Sequence, residues 1–320
     1  MSKTFLFVLH CLYVGEGDCT IFEYQNAKKK YLYCIDFGSN ISLIQRKTDV
    51  VKYLEKLGCK NKNTKSNISK KTVNGCTEKK PQATVNSNVE LNCLLTHPHF
   101  DHYQYLNLLH RNFNINKFFY SNLYDDYPKV KFVDRYFNTF KYNKKVREVV
   151  KTFSQEQKQQ VFSDDIILKD DNICMKVLWP TKDYKKINND FNDNSMVLLI
   201  TLLEKNKNII LMADAGVRAE KEIMQKYPEL KDVDIIKIGH HGNSSSSSQV
   251  FIDKMNPKIV INSTGPHLLS LGFMNFHTSR KVMNSWQRAR NGEAKIYTTY
   301  KRGDISVIYD EKSNGFIIKQ

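Results

Sequence analysis

The feature that most constrains this chain is the run THPHFDH at positions 96–102, which directly follows an apolar strand. It packs four potential metal ligands, His97, His99, Asp101 and His102, into six residues. Imidazole and carboxylate groups both bind borderline divalent cations. Burying three imidazoles and an acid on one turn would be costly unless a cation organised them. We therefore expect a metal site at the end of a buried strand; the alternative is a cluster of histidines on the surface.

Two later segments carry the residue types that such a site still lacks. LMADA at positions 211–215 ends an apolar strand with Asp214, and KIGHHG at 237–242 ends another with His240 and His241. Taken alone, Asp214 would be interpreted as the N-cap of the helix predicted from Ala215 to Tyr227. The other ligands favour a metal-binding role for it instead.

Together these segments resemble the metallo-β-lactamase superfamily of αββα sandwich hydrolases, and in particular its ComEC-type branch, the competence protein hydrolase domain. The resemblance also covers FVLHCLYVGEGD at 7–18, IDFG at 35–38, NSMV at 194–197, DVDIIKIGHHG at 232–242, PKIVINS at 257–263 and IYT at 296–298. The matches are collinear and cover nearly the whole chain. The resemblance implies an α/β fold, a four-layer αββα sandwich, built as a single domain from residues 1–320.

The resemblance also implies two divalent metal ions, zinc or manganese, and assigns their ligands. His97 and His99 would hold the first ion. Asp101, His102 and one of the two late histidines would hold the second, and Asp214 would bridge both. Of the late pair we favour His241 as the ligand and expect His240 to face the substrate.

This sequence lacks one histidine that the resemblance would assign to the first ion. Many members of the superfamily supply a further histidine to it, from a strand between the turn and the bridging acid. Here the only histidine between positions 102 and 240 is His110, seven to eight residues into the helix after the turn. We expect water, an amide such as Asn192 or Asn194, or the substrate to complete the site, because open positions are where catalytic metal sites bind a water or a phosphate oxygen.

The expected chemistry is hydrolysis by metal-activated water, in which two ions lower the pKa of a bound water toward about 7. Asp101 would both bind metal and orient that water. Lys237 or His240 would neutralise charge or protonate the leaving group, although Lys237 is as readily interpreted as a solvated strand residue. His277, in a turn where the family has Gly-His-Pro, is a second candidate for this role or a lone loop histidine.

Three segments outside the strands complete the domain. Residues 59–88 contain seven lysines and one glutamate with almost no apolar periodicity, which predicts a basic, flexible insertion. Residues 120–160 are aromatic and basic, which predicts a helical excursion that could cap a cleft. The five serines at 244–248 are either a phosphate-cradling loop or, as we favour, a loop whose serine caps the helix predicted over 249–255. Asp18 and Asp36 are expected to brace the metal turn.

The net charge of the chain indicates a class of substrate. The 49 Lys and Arg residues exceed the 33 Asp and Glu residues, and the net charge of +16 attracts polyanions. Nucleic acid is the expected partner, although biased coding alone could produce this composition. The leading hypothesis is a phosphodiesterase, a nuclease acting on DNA or RNA. The alternatives are a hydrolase of a small ester, cyclic nucleotide, lactam or peptide, and a non-catalytic, metal-stabilised module that binds nucleic acid or protein.

Cysteine usage and hydropathy bear on the compartment. The seven cysteines form no CxxC pair and are odd in number, which argues against a disulfide framework and fits a reducing cytoplasm. The longest apolar runs fall short of the ~20 residues that span a membrane. We expect a soluble, cytoplasmic protein with no membrane partner.

Overall fold

The computed structural model describes residues 5–39, 48–63, 89–123, 147–184, 191–265 and 294–320. Within these ranges the strands form two mixed sheets. The first sheet has the order β15-β14-β1-β2-β3-β4-β5-β6, and the second has the order β13-β12-β11-β10-β9-β8-β7. The first contains β1 Leu6–Cys11, β2 Thr20–Gln25, β3 Lys30–Ile35, β4 Val89–Leu95, β5 Ile115–Tyr120, β6 Lys158–Gln160, β14 Ile305–Asp310 and β15 Gly315–Lys319. The second contains β7 Ile166–Lys169, β8 Ile173–Trp179, β9 Val197–Leu202, β10 Lys207–Leu211, β11 Ile235–Lys237, β12 Ile259–Asn262 and β13 Lys295–Thr298.

The helices of the described residues are short. They are α1 Val50–Lys56, α2 Phe100–Tyr103, α3 Leu106–Asn112, α4 Val217–Lys226, α5 Gln249–Met255 and α6 Thr299–Arg302, together with a helical stretch at 147–152. Two of these helices follow an N-cap residue of a type that is favoured at that position. The side chain of Asp49 accepts hydrogen bonds from the first amides of α1, and that of Ser248 accepts one at the start of α5.

The side-chain alternation of the strands produces four layers. Phe7 and Leu9 of the first sheet pack against Leu198 and Ile209 of the second, so one core lies between the two sheets. The alternate residues of each strand face outward. On the outer face of the first sheet they meet α1 and α3, and on the outer face of the second they meet α4 and α5. This arrangement confirms the predicted αββα sandwich.

The direction of the strands determines where the functional residues gather. In the first sheet β3, β4 and β5 run parallel, and in the second β10, β11, β12 and β13 run parallel. The carboxyl ends of parallel strands lie at one edge of a sheet, which is where α/β proteins bind ligands. The THPHFDH turn follows β4, Asp214 follows β10, and the late histidines follow β11. The two sheets therefore bring all three segments to one edge of the sandwich.

Two predicted segments are only partly described. Of the basic insertion at 59–88, residues 64–88 lie outside the described residues. Of the helical excursion at 120–160, residues 124–146 lie outside them, residues 147–152 are helical, and Lys158–Gln160 form the edge strand β6 instead of a helix. In the described part of the chain, no helix has the length and apolar character needed to cross a bilayer.

Candidate metal centre

The turn after β4 is held by two neighbouring loops that contact its backbone. The amide of Phe37 donates to the carbonyl of His102 at 2.8 Å, and the amide of Asp18 donates to that of Asp101 at 3.1 Å. A Cβ added at Gly38 would overlap the backbone of Asp101, so only glycine permits this close approach. The VGEGD and IDFG segments thus fix the position of the turn.

Asp36 orients the last histidine of the turn. One carboxylate oxygen accepts the Thr96 amide at 2.9 Å, and the other accepts the Thr96 hydroxyl and Nδ1 of His102, both at 2.7 Å. Because Nδ1 of His102 donates to this carboxylate, Nε2 faces the interior of the site and is the nitrogen available to an ion when the ring is neutral. A carboxylate that orients a ligating imidazole in this way is common at metal sites. This is the bracing contact expected of Asp36.

Asp214 lies at the centre of the assembled side chains, and its two oxygens face different neighbours. Oδ1 is 3.4 Å from Nε2 of His102 and 3.7 Å from Nε2 of His241. Oδ2 is 3.7 Å from Nε2 of His97 and 3.9 Å from Nε2 of His240. The carboxylate therefore divides the site into two halves.

The remaining ligands of the turn join these halves. Asp101 Oδ2 is 3.3 Å from Nε2 of His241 and 3.9 Å from Nε2 of His102, so it belongs to the Oδ1 half. Nδ1 of His99 is 2.9 Å from Nε2 of His97, so it belongs to the Oδ2 half. The structure thus brings together all six residues predicted as metal ligands, which are His97, His99, Asp101, His102, Asp214 and His241.

The donor atoms fit a divalent ion. Nε2 of His102, Nε2 of His241 and Oδ1 of Asp214 are buried and have no hydrogen-bond partner among the described residues. Nδ1 of His241 donates to the carbonyl of Ser263 at 2.9 Å, so Nε2 is the nitrogen that is available to an ion when the ring is neutral. Ligand atoms about 2.0–2.1 Å from a tetrahedral zinc lie about 3.3 Å from one another. The distances in this half, 3.3–3.9 Å, are at or slightly above that spacing.

Electrostatics hold the acids ionised. Although burial opposes charge on Asp214, the rings of His102 and His241 hold the pKa of its carboxyl well below the usual value. Burial likewise opposes a charged His241, but Asp214 and Asp101 raise the pKa of this ring to about 9. In the other half, burial and the nearby His102 hold the pKa of His97 well below its usual value. Metal binds the neutral imidazole and the ionised carboxylate, so an ion in the second half would displace the proton that Asp214 and Asp101 hold on His241.

Four of the ten non-glycine residues with positive φ in the described part of the chain lie at this site. Asp36, Ala213, His240 and His241 all adopt positive φ, between 47° and 53°. Such conformations cost about 1–3 kcal/mol each in residues other than glycine, and they cluster at functional sites. The strain at these four positions is independent of the side-chain contacts and points to the same site.

Lys237 has a different environment from the one expected of a proton donor. Its side chain is only 4% exposed, and its ammonium forms a buried ion pair with Asp18. Asp18 also accepts a hydrogen bond from the Thr20 hydroxyl at 3.3 Å. This position suits bracing of the adjacent loop better than the predicted contact with a leaving group. His277 lies outside the described residues.

The serine run has a structural explanation. The carboxylate of Glu220 accepts hydrogen bonds from the amides of Ser247 and Ser248, so these amides are already paired with an anion. The Ser246 hydroxyl donates to the carbonyl of Gly239 at 2.7 Å. Nδ1 of His240 lies 2.8 Å from the Ser245 hydroxyl. The loop caps α5 through Ser248, as favoured from sequence, and it also supports the late histidines, which the sequence did not predict.

Some functional contacts carry no sequence signal. The Ser263 carbonyl that orients His241 is a backbone group, which any residue type could supply. Glu220 reads in sequence as an ordinary acid in the first turn of α4, yet it is fully buried and pairs with the loop. Only the folded chain reveals these two contacts.

Comparison with known proteins gives one relative in sequence. The chain is 28% identical over 127 residues to ComE operon protein 3 of Bacillus subtilis, a match that covers 35% of this chain and 16% of that protein. It confirms the resemblance to the competence branch over that part of the chain. No family profile matches the sequence.

The chain is also similar to solved structures. One is the metallo-β-lactamase fold protein YhfI from Bacillus subtilis, with 10% identity, a TM-score of 0.46 and coverage of 94% of this chain and 99% of that one. Another is the short form of human tRNase Z, with 10% identity, a TM-score of 0.38 and coverage of 79% and 91%. A third is unliganded yeast PDE1, with 11% identity, a TM-score of 0.38 and coverage of 91% and 87%.

Proposed function

We propose that this protein is a phosphodiesterase that hydrolyses DNA or RNA with the help of two divalent ions, zinc or manganese. The observation that carries the proposal is the position of Asp214. Its two carboxylate oxygens face two separate sets of nitrogen and oxygen donors, 3.4–3.9 Å away. A carboxylate shared between two ion sites is suited to the in-line displacement that two-metal enzymes perform on phosphate esters.

The residues divide between the two ions. His97, His99 and Oδ2 of Asp214 would hold the first, and Asp101, His102, His241 and Oδ1 of Asp214 would hold the second. When bound, such ions supply a water of lowered pKa and neutralise charge on the phosphate oxygens.

The protein's own groups supply orientation. The side chain of Asp101 is 18% exposed, more than His102 or Asp214, so it can contact a water at the mouth of the site. Besides binding the second ion, Asp101 would orient that water for attack. The ring of His240 is 26% exposed, and its Nε2 lies 3.9 Å from Oδ2 of Asp214. This exposure allows the ring to contact the substrate as well.

The choice of nucleic acid as the substrate rests on charge. A chain with a net charge of +16 attracts polyanions, and each phosphate that Lys or Arg neutralises releases a counterion. Binding of DNA or RNA should therefore weaken steeply with salt, by about 1,000-fold between 50 and 200 mM for roughly six phosphate contacts.

The test is incubation of the purified, metal-analysed protein with single- and double-stranded DNA, with RNA and with a phenyl phosphodiester. We expect cleavage of nucleic acid that falls to below about 1% in Asp101→Ala and Asp214→Ala, since even residues that merely orient ligands are worth 10–100-fold.

Two results would contradict the proposal. If the phenyl ester is cleaved independently of salt while DNA and RNA are neither bound nor cut, the enzyme acts on small esters. If the Asp214→Ala protein retains full activity, the centre is not catalytic.

A further inference from the structure

We propose that His240 is the third protein ligand of the first ion and that Ser245 holds it in position. This inference rests on the proposed function, since it assigns a residue to one half of the same centre. It replaces two expectations: that water, an amide or the substrate alone completes the first site, and that His240 serves only to face the substrate.

The first half of the centre lacks a protein ligand. Its donors are Nε2 of His97, Nδ1 of His99 and Oδ2 of Asp214. His110 is not available, because its ring lies on the outer face of the first sheet, where Nε2 is 3.1 Å from the Thr152 hydroxyl. A site with only these three donors would be held more weakly than the second half.

His240 reaches this half and not the other. Its Nε2 is 3.9 Å from Oδ2 of Asp214, the same oxygen that faces His97. His241, the next residue, faces Oδ1 instead. Both histidines adopt the left-handed conformation, with φ of 49° and 52°. This paired strain directs two consecutive imidazoles to opposite oxygens of one carboxylate.

Ser245 gives His240 the same kind of support that the other ligands have. Its hydroxyl lies 2.8 Å from Nδ1 of His240, which leaves Nε2 as the lone-pair nitrogen when Nδ1 donates. The Ser245 carbonyl accepts the Val217 amide at 2.9 Å, so the serine is bound to the start of α4, three residues after Asp214. Asp36 supports His102, and the Ser263 carbonyl supports His241, through Nδ1 in the same manner.

Asn192 is the competing candidate. Its side-chain nitrogen lies 3.5 Å from Nε2 of His240, at the outer limit of a hydrogen bond. The nitrogen donates to the imidazole lone pair, so Asn192 competes with an ion for His240. Because an amide binds a cation through its oxygen and not through this nitrogen, the Asn192→Ala variant below tests that alternative.

The test is titration of the metal-free protein with Zn²⁺, followed by calorimetry and by metal analysis after dialysis. The variants are His240→Gly, which tolerates the positive φ, Ser245→Ala and Asn192→Ala. We expect two ions in the wild-type protein. In His240→Gly one of them should bind about 100-fold more weakly or worse, and added imidazole should restore it. Ser245→Ala should weaken the same ion by about 10–100-fold.

The outcomes separate this inference from the proposed function. If His240→Gly binds both ions with wild-type affinity, or if Asn192→Ala loses an ion that His240→Gly retains, His240 is not the ligand and the proposed function stands. If imidazole fails to restore the lost ion, the loss is structural and the assignment is wrong. If the wild-type protein binds no ion, the proposed function fails as well.

Discussion

Variants of the ion pair between Lys237 and Asp18 can show whether Lys237 stabilises the fold or acts in catalysis. Both side chains are about 4% exposed, so replacing Lys237 with Met leaves the Asp18 carboxylate buried without its cation. Loss of one partner of a buried pair costs about 3–5 kcal/mol. Native proteins are stable by about 5–15 kcal/mol, so the Lys237→Met protein should fold but unfold at lower denaturant.

The double variant Lys237→Met/Asp18→Asn removes the unpaired charge. Replacing both partners of a buried pair by neutral groups is often close to neutral. We therefore expect the double variant to recover most of the lost stability and, because Lys237 acts only as a brace, most of the hydrolytic activity. Asp18→Asn alone, which leaves the lysine unpaired, is the matched control.

The assay is urea unfolding followed by far-ultraviolet circular dichroism, with hydrolysis measured on the same samples without urea. With a slope of about 3 kcal/mol/M, a cost of about 4 kcal/mol moves the midpoint by about 1.3 M. The reasoning is refuted if Lys237→Met unfolds like the wild type. It is also refuted if the double variant regains stability but stays as inactive as the single variant, because Lys237 would then act in catalysis.

Three further predictions concern stability and metal. Burial opposes charge on Glu23, but His10 and Lys30 hold the pKa of its carboxyl below the usual value. Glu23→Gln should therefore lower the free energy of unfolding by about 1.5–3 kcal/mol at pH 7. This difference between the two proteins should be present above pH ~4.3 and lost as pH falls through the lower folded-state pKa of Glu23. Urea unfolding at pH 7, 5 and 3.5 checks it, and a difference that is the same at all three pH values would contradict it. Gly38→Ala should weaken metal binding by at least about 10-fold, because the added methyl overlaps the backbone of the metal-binding turn. The control is Gly315→Ala, where an added Cβ finds no contact closer than 3.5 Å. In the same dialysis experiment, the control should bind metal as the wild type does. Removing metal with a chelator should lower stability by about 2.7 kcal/mol relative to protein with free metal at 100 times its Kd, and an unchanged melting curve would show that no ion binds the folded state.

Much of the site follows from the sequence, because strand ends can be recognised locally. The apolar runs before His97, Asp214 and His240 predict strands, and the structure has β4, β10 and β11 at these places. Parallel strands in α/β proteins place their carboxyl ends at one edge. Residues far apart in the chain can therefore be assigned to one site from the order of their strands.

The environment of Lys237 could not be predicted in the same way. Strand alternation puts Lys237 and Ile236 on opposite faces of β11, but it does not say which face lies between the sheets. In the structure Ile236 packs under the helices, so the lysine points between the sheets toward Asp18. That partner comes from the loop between β1 and β2, more than 200 residues away.

The sequence also could not predict which oxygen of Asp214 each of His240 and His241 faces. Two adjacent histidines in a regular strand would point to opposite faces, but here both lie in left-handed conformations after the strand ends. Ser245 orients one ring and the Ser263 carbonyl orients the other. One of these partners sits in a serine run where any member could serve, and the other is a backbone atom.

The central claim is that Asp214 lies between two ion sites. Anomalous diffraction from crystals of the full chain soaked in Zn²⁺ or Mn²⁺ tests it most directly. We predict two peaks about 3.5–4 Å apart, one beside Oδ1 of Asp214 with Asp101, His102 and His241, the other beside Oδ2 with His97 and His99. A single peak, or none near Asp214, would contradict the claim.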